Sequence, residues 1–152
     1  MNIPEITLLD EKLFKQQGKA LSNISIELES KEYLAHTFEI DNKKIIFRKA
    51  KITPTKTGQF VTIWKRNSKG ITAPFNLLDD FESIIIFVKQ DELIGAFIFP
   101  KAILHQKKII SDENKDGKRG IRVYPPWDTP SSKQAIKTQE WQIGHFVHLN
   151  KS

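Results

Sequence analysis

Apolar and polar residues alternate with the period of β-strands over most of this chain, and helical spacing is confined to short stretches. Near the N-terminus, the apolar residues between Leu8 and Phe14 recur at helical spacing. This pattern predicts an amphipathic N-terminal helix over residues 6–17. Gly18 is predicted to end it, because glycine readily adopts the conformation that closes a helix.

Strand patterns fill the middle of the chain. Residues 33–40 and 43–49 are predicted to form a hairpin around a tight turn at residues 41–42. A third strand is predicted over residues 59–66, where aromatic and β-branched residues alternate. Residues 67–74 are predicted to form a loop.

The second half of the chain contains the most strand-like pair. Residues 83–89 and 93–99 are apolar on both faces, which is typical of strands at the centre of a sheet. A short helix is predicted over residues 101–106, and a further strand over residues 119–124. The pattern of residues 131–149 fits a helix or a strand.

Length and composition favour a single domain spanning residues 1–152, because one hydrophobic core serves a chain of this size. The sequence contains no cysteine, which excludes disulfides, thiolate zinc sites and cysteine nucleophiles. Residues 1–10 lack the pattern of a secretory signal, and the longest apolar run, residues 84–88, is too short to span a bilayer. The sequence therefore predicts a cytoplasmic protein that does not enter membranes.

Charge is distributed unevenly along the chain. The protein has a formal net charge of +6, and residues 42–78 contain nine Lys or Arg residues and no Asp or Glu. We call residues 42–78 the acid-free segment; they also include Phe47, Phe60 and Trp64. Basic and aromatic residues together are typical of surfaces that bind nucleic acid, although a basic segment also keeps a monomer soluble.

Motifs for catalysis and metal binding are incomplete. Residues 112–117 resemble the first half of a calcium loop, but the twelfth position is Val123 instead of a bidentate carboxylate. His145 and His148 would bind one metal only from a common helix and with a third ligand. No nucleophile elbow or phosphate-binding glycine loop is present. The sequence predicts no metal, no cofactor and no catalytic residues.

Five strings of residues resemble those of the MepB family over about residues 30–150. They are ITPTKTGQFV at 52–61, WKR at 64–66, FPK at 99–101, RVYPPWD at 122–128 and KTQEWQ at 137–142. Members of that family are bacterial, and some are encoded beside a multidrug efflux pump and its repressor. The resemblance implies a single α/β domain with a central mixed, largely antiparallel sheet flanked by helices, restriction-endonuclease-like in its core. It also implies nucleic acid as the ligand.

The same resemblance raises the question of nuclease activity. Nucleases with this core need one carboxylate at the end of a strand and a second carboxylate two positions before a lysine on the next strand. Asp79 or Asp80 would be the first carboxylate and Lys101 the lysine, but the residue two positions before Lys101 is Phe99. A phenyl ring cannot bind magnesium, so nuclease activity is not expected. A different alignment of the strands would use Glu82 instead, or Asp41.

We therefore predict a protein that binds DNA or RNA without sequence preference. The predicted phosphate contacts are Lys51, Lys56, Lys65, Arg66, Lys101, Arg119 and Arg122, and the predicted stacking residues are Tyr124 and Trp127.

Other functions remain open on the sequence. The first is a module that binds a small molecule or an anionic metabolite and is linked to drug resistance. Its pocket would contain Thr53, Thr57, Gln59, Tyr124, Trp127 and Gln142. The others are a metal-dependent nuclease and a scaffold that binds an acidic protein, and the sequence leaves the oligomeric state open.

Overall fold

The computed structural model describes residues 2–150, and β-strands provide most of their regular structure. Across these residues the strands are β1 (Leu21–Ile26), β2 (His36–Ile40), β3 (Lys43–Lys49), β4 (Lys51–Ile52), β5 (Gln59–Thr62), β6 (Trp64–Arg66), β7 (Thr72–Pro74), β8 (Ser83–Gln90), β9 (Leu93–Pro100), β10 (Gly120–Val123) and β11 (Phe146–His148). The α-helices are α1 (Pro4–Leu9), α2 (Lys101–Gln106) and α3 (Lys133–Ile143). No helix in this described range is long and apolar enough to cross a membrane.

The N-terminal helix begins at Pro4, two residues earlier than predicted, and continues as one helical segment to Gln17. After α1 it passes through a π-helical turn at Asp10–Phe14 and a 3-10 turn at Lys15–Gln17. Proline suits the first turn because the N–H that it lacks would have no partner there. Gly18, with φ of 72°, ends the segment as predicted.

Six strands of the described chain form the main sheet, in the order β1-β2-β3-β8-β9-β11. β3 and β8 run parallel, whereas the other neighbouring strands in this sheet run antiparallel. The predicted α/β domain with a mixed, largely antiparallel sheet is therefore confirmed. The predicted helix at residues 101–106 is confirmed as α2.

Each face of the main sheet packs against a different layer. On one face, Phe47 and Phe87 pack against the N-terminal helix, which contributes Leu9. On the other face, Ile86 lies in a core that includes Val61 from a second sheet, with strand order β10-β5-β4, together with side chains from α2 and α3. The second sheet buries one face in this core, and its other face points outward.

Several predicted boundaries are wrong where tertiary pairing decides the strand. The predicted strand at residues 59–66 breaks at Ile63, because β5 joins the second sheet while β6 pairs with β7 inside the predicted loop. β2 begins only at His36, since Lys31–Tyr33 form a 3-10 turn. The ambiguous C-terminal stretch contains both elements, first α3 and then β11.

Arg48 is a buried charge in β3, with 2% of its surface exposed. Its Nη1 donates to the backbone oxygen of Phe47 at 2.9 Å, and its guanidinium lies 5.9 Å from the centre of the Phe75 ring. Within residues 2–150, no carboxylate lies at salt-bridge distance from it. Burial lowers the pKa of Arg48 to about 10, and the charge of Glu27 offsets only part of this effect.

We expect Arg48→Met to keep or raise the free energy of unfolding at neutral pH, by up to about 2 kcal/mol, because methionine avoids burying a charge. The lowered pKa means that the native state disfavours the charged arginine. The wild type should therefore gain stability as the pH rises through about 10, where Arg48 begins to lose its proton. Urea denaturation at neutral pH and above pH 10 should show the two proteins converging. A loss of more than about 2 kcal/mol at neutral pH would contradict this expectation.

Candidate functional site

A groove of about 460 Å³ lies where α3 runs beside the outward face of the second sheet. Four basic side chains line this groove, and the described residues that surround it include no Asp or Glu. They are Lys56, Lys107, Lys118 and Arg122. None of the four lies within salt-bridge distance of a carboxylate in residues 2–150. We call this the basic groove.

Positively charged side chains also lie on the outward face of the second sheet, beside the basic groove. Phe60 on β5 pairs with Arg122 on β10 and with Lys51 on β4, so the three side chains lie side by side on one face. The Phe60 ring lies against Gly120, where an added Cβ would come within 2.6 Å of its Cζ. Lys51 Nζ is 5.3 Å from the centre of the Tyr33 ring, which packs edge-to-face on Phe60. The outward face therefore carries aromatic rings between two cations.

Neutral oxygens hold Arg122 in place without cancelling its charge. Its Nη2 donates to Thr53 Oγ1 at 2.6 Å, and its Nη1 donates to the backbone oxygen of Thr57 at 3.2 Å. The guanidinium is thus oriented while its positive charge remains available to a ligand.

Gln142 fixes α3 to β10 behind the groove. Its side chain is 1% exposed, its Oε1 accepts from the backbone N–H of Tyr124 at 2.9 Å, and its Nε2 donates to the backbone oxygen of Arg122 at 3.0 Å. Both functions of the amide are therefore satisfied by backbone. Gln142 is better explained as a clamp than as the ligand-binding residue that the sequence suggested.

The structure brings together only part of the predicted phosphate-binding set. Lys56 and Arg122 line the basic groove, and Lys51 lies on the same sheet face. The other four predicted cations do not line the groove. Two of them form ion pairs, and the other two donate to backbone oxygens. Lys65 binds Asp79, Arg66 binds Glu29, Lys101 donates to the backbone oxygens of Leu77 and Asp79, and Arg119 donates to the backbone oxygen of Thr72.

Both predicted stacking residues are packed against protein. Tyr124 is buried, and its ring lies so close to Gly58 that an added Cβ there would approach it to 2.7 Å. The Trp127 ring packs against the core, with its centre 5.7 Å from that of Phe146. Tyr124 still lines the basic groove, but neither ring projects freely into solvent.

Sequence reasoning missed Lys107, Lys118 and Trp141, which also line the groove. Lys107 Nζ lies 5.6 Å from the centre of the Trp141 ring. These residues come from segments outside the acid-free segment. In the basic run from Lys115 to Arg122, the sequence analysis predicted Arg119 and Arg122 as phosphate contacts and left out Lys118.

A second cavity, of about 430 Å³, adjoins the basic groove, and Lys56 lines both. Gln59, Trp127 and Asp128 also line this cavity. Gln59 is 1% exposed, and its Oε1 has no hydrogen-bond partner in residues 2–150; the same is true of the buried Nε1 of Trp127. Burial raises the pKa of Asp128. The residues of the predicted small-molecule pocket are thus divided between two sites. Thr57, Gln59 and Trp127 line this cavity, whereas Tyr124 and Gln142 line the basic groove.

Asp79 and Lys101, the candidate nuclease residues, lie close together, but their hydrogen bonds hold neighbouring parts of the protein in place. Asp79 accepts from Lys65 Nζ at 2.6 Å and from the backbone N–H of Asn76 at 2.8 Å, while Lys101 donates to backbone oxygens. Phe99 is fully buried and stacks on Phe97 with ring centres 5.5 Å apart. Among the described residues, no group of three or more histidine or carboxylate side chains is arranged to hold a metal ion.

Two comparisons with known proteins point to the same family. The model of the MepB-like family matches residues 27–148. A crystal structure of MepB superposes on the chain with a TM-score of 0.84, at 31% sequence identity, and the alignment covers 99% of this chain and 100% of that one. None of the curated proteins matches the chain.

Proposed function

This chain belongs to the MepB-like family, and we propose that it binds DNA or RNA with little sequence preference through the basic groove and the adjoining face of the second sheet. The observation that carries the proposal is the set of four cations around the groove, with no carboxylate in its lining. Such a site releases counterions from a phosphate backbone when it binds, and this release supplies most of the affinity of non-specific binding.

Aromatic side chains beside the cations support a nucleic acid over a simple anion. Phe60 lies between Lys51 and Arg122, and Trp141 lines the groove near Lys107. Base faces stack on such rings whatever the base, so this contact adds affinity without reading sequence. We also propose that the main sheet is related to the core of restriction endonucleases. In this proposal the chain binds nucleic acid as those enzymes do but lacks their magnesium site.

A second candidate function is the binding of an anionic metabolite in the same groove. Its volume of about 460 Å³ lies within the usual range of small-molecule sites. The groove continues onto a basic sheet face, however, and a small ligand in the groove would leave Lys51 unused. We therefore favour the polymer.

Fluorescence anisotropy with labelled DNA tests the proposal directly. If the four groove cations each neutralise one phosphate of a duplex, log affinity should fall against log salt with a slope of about −3.6. Affinity should then drop about 150-fold between about 50 mM and about 200 mM salt. A slope near zero, or no binding at the lower salt, would contradict nucleic-acid binding. Tight binding of pyrophosphate with no oligonucleotide binding would favour the metabolite.

A further inference from the structure

An aromatic ring lies between two cations along the floor of the basic groove. Gly120 and Arg122 are two residues apart on β10, so they lie on the same face of the strand, and Lys118 comes two residues before Gly120. The Phe60 ring reaches over Gly120 from the neighbouring strand. The absence of a side chain at Gly120 provides the space that the ring occupies. The ring therefore lies between Lys118 and Arg122, and all three side chains line the groove.

The facing wall of the groove repeats this arrangement of ring and cation. α3 contributes Gln134, Thr138 and Trp141, which recur at helical spacing and carry no charge. The Trp141 side chain is only partly buried, and Lys107 Nζ lies 5.6 Å from the centre of its ring. Floor and wall thus each present an aromatic surface directly beside positive charge.

Only one form of nucleic acid can use the rings as well as the cations. In a duplex the base faces are stacked on one another, so a protein surface outside the base-pair stack contacts phosphates and sugars. In a single strand the bases can turn outward and stack on aromatic side chains. The groove, at about 460 Å³, is also of a size that accommodates single bases but not the body of a duplex.

We propose that the basic groove is a site for a single strand of DNA or RNA, with bases stacked on Phe60 and Trp141 and phosphates at the four cations. The inference rests on the proposed function and narrows it, because a duplex could reach the cations but would leave both rings without a base. Stacking accepts every base, so the preference is for strandedness and not for sequence.

Competition in fluorescence anisotropy tests this preference at one fixed salt concentration. The competitors are an unlabelled strand of about twenty nucleotides and the duplex that it forms with its complement. The single strand should bind about 10-fold more tightly than the duplex, because it gains the stacking contacts. Equal affinity, or tighter binding of the duplex, would overturn the inference and leave nucleic-acid binding intact. If neither competitor binds at low salt, the proposed function itself fails.

An abasic strand separates stacking from charge without any change to the protein. A strand of the same length that lacks its bases keeps every phosphate, so it should show the same kind of salt dependence. It should bind about 10-fold more weakly than a thymidine strand, because the rings then have nothing to stack on. If the abasic strand binds as tightly as the thymidine strand, phosphates alone determine binding and the inference is wrong.

Two variants test the floor of the groove at unchanged net charge. Phe60→Leu removes the ring, and Gly120→Ala displaces it, since the new Cβ would lie 2.6 Å from Phe60 Cζ. Each should remove most of the preference for single strands, while affinity for the duplex should change less than about 2-fold. Phe146→Leu is the matched control, because it removes a half-buried ring that does not line the groove, and it should keep the preference. A preference that survives in both floor variants would contradict stacking on Phe60.

Tryptophan fluorescence tests the wall. Trp141 lines the groove, whereas Trp64 and Trp127 do not. A thymidine strand should therefore quench tryptophan emission, the abasic strand should not, and Trp141→Phe should remove the effect while keeping a ring on the wall. Urea denaturation of each variant shows that it is folded. A thymidine strand that binds without quenching would place its bases outside the groove, and the inference would fail.

Discussion

Exchanging both Lys56 and Lys118 for glutamine should halve the salt dependence of DNA binding. Both side chains are exposed and line the basic groove, so their loss removes two of four expected phosphate contacts without disturbing the core. The slope of log affinity against log salt should change from about −3.6 to about −1.8. Between about 50 mM and about 200 mM salt, affinity should fall only about 12-fold, compared with about 150-fold for the wild type.

The control for this experiment is the double variant Lys44→Gln, Lys69→Gln. It also loses two positive charges, both from the acid-free segment. Both residues are exposed, but neither lines the groove. Its salt dependence should match that of the wild type. If both double variants flatten the slope equally, net charge governs binding and the groove is not the site.

Replacing Phe99 should have the largest effect on stability. Its ring is fully buried and packs on Phe97 and on Trp141, whose ring centre is 5.3 Å away. We expect Phe99→Ala to lower the free energy of unfolding by about 3–5 kcal/mol, measured by urea denaturation. Phe60→Ala, from the half-buried outward face, should cost less than half as much.

The same position decides the nuclease question. Phe99→Asp would restore a carboxylate two positions before Lys101, but it would bury that carboxylate in an aromatic core. We expect this variant to unfold and not to gain activity. A folded Phe99→Asp protein that nicks plasmid DNA with magnesium would contradict this view of the core.

Local patterns in the sequence predicted those elements that local patterns control. β3, β8, β9 and α2 carry apolar repeats bounded by clear turn residues or by Pro100, and their predicted bounds lie within a residue of the observed ones. The break at Ile63 has no such signal. It arises because residues on either side of Ile63 find partners in different sheets, which only the tertiary fold determines.

Only part of the site could be predicted, because contacts between residues distant in sequence also decide which cations reach it. Lys56 and Arg122 lie in strings shared with the MepB family, and both reach the groove. Lys65 and Arg66 were grouped with them because a count of charge along the chain does not reveal ion-pair partners distant in sequence. Asp79 and Glu29 are such partners. Lys118 lies just before β10, and only the tertiary fold brings it to the groove beside residues that are distant in sequence.

The clamp formed by Gln142 bears on how fast a ligand would be captured. α3 cannot move away from β10 without breaking the two hydrogen bonds of Gln142. The groove therefore keeps its width and its positive electrostatic potential before a nucleic acid binds. A preformed site spends little entropy on ordering itself. Encounter would then be governed by diffusion and by long-range attraction to the cations, and salt would act chiefly on the association rate.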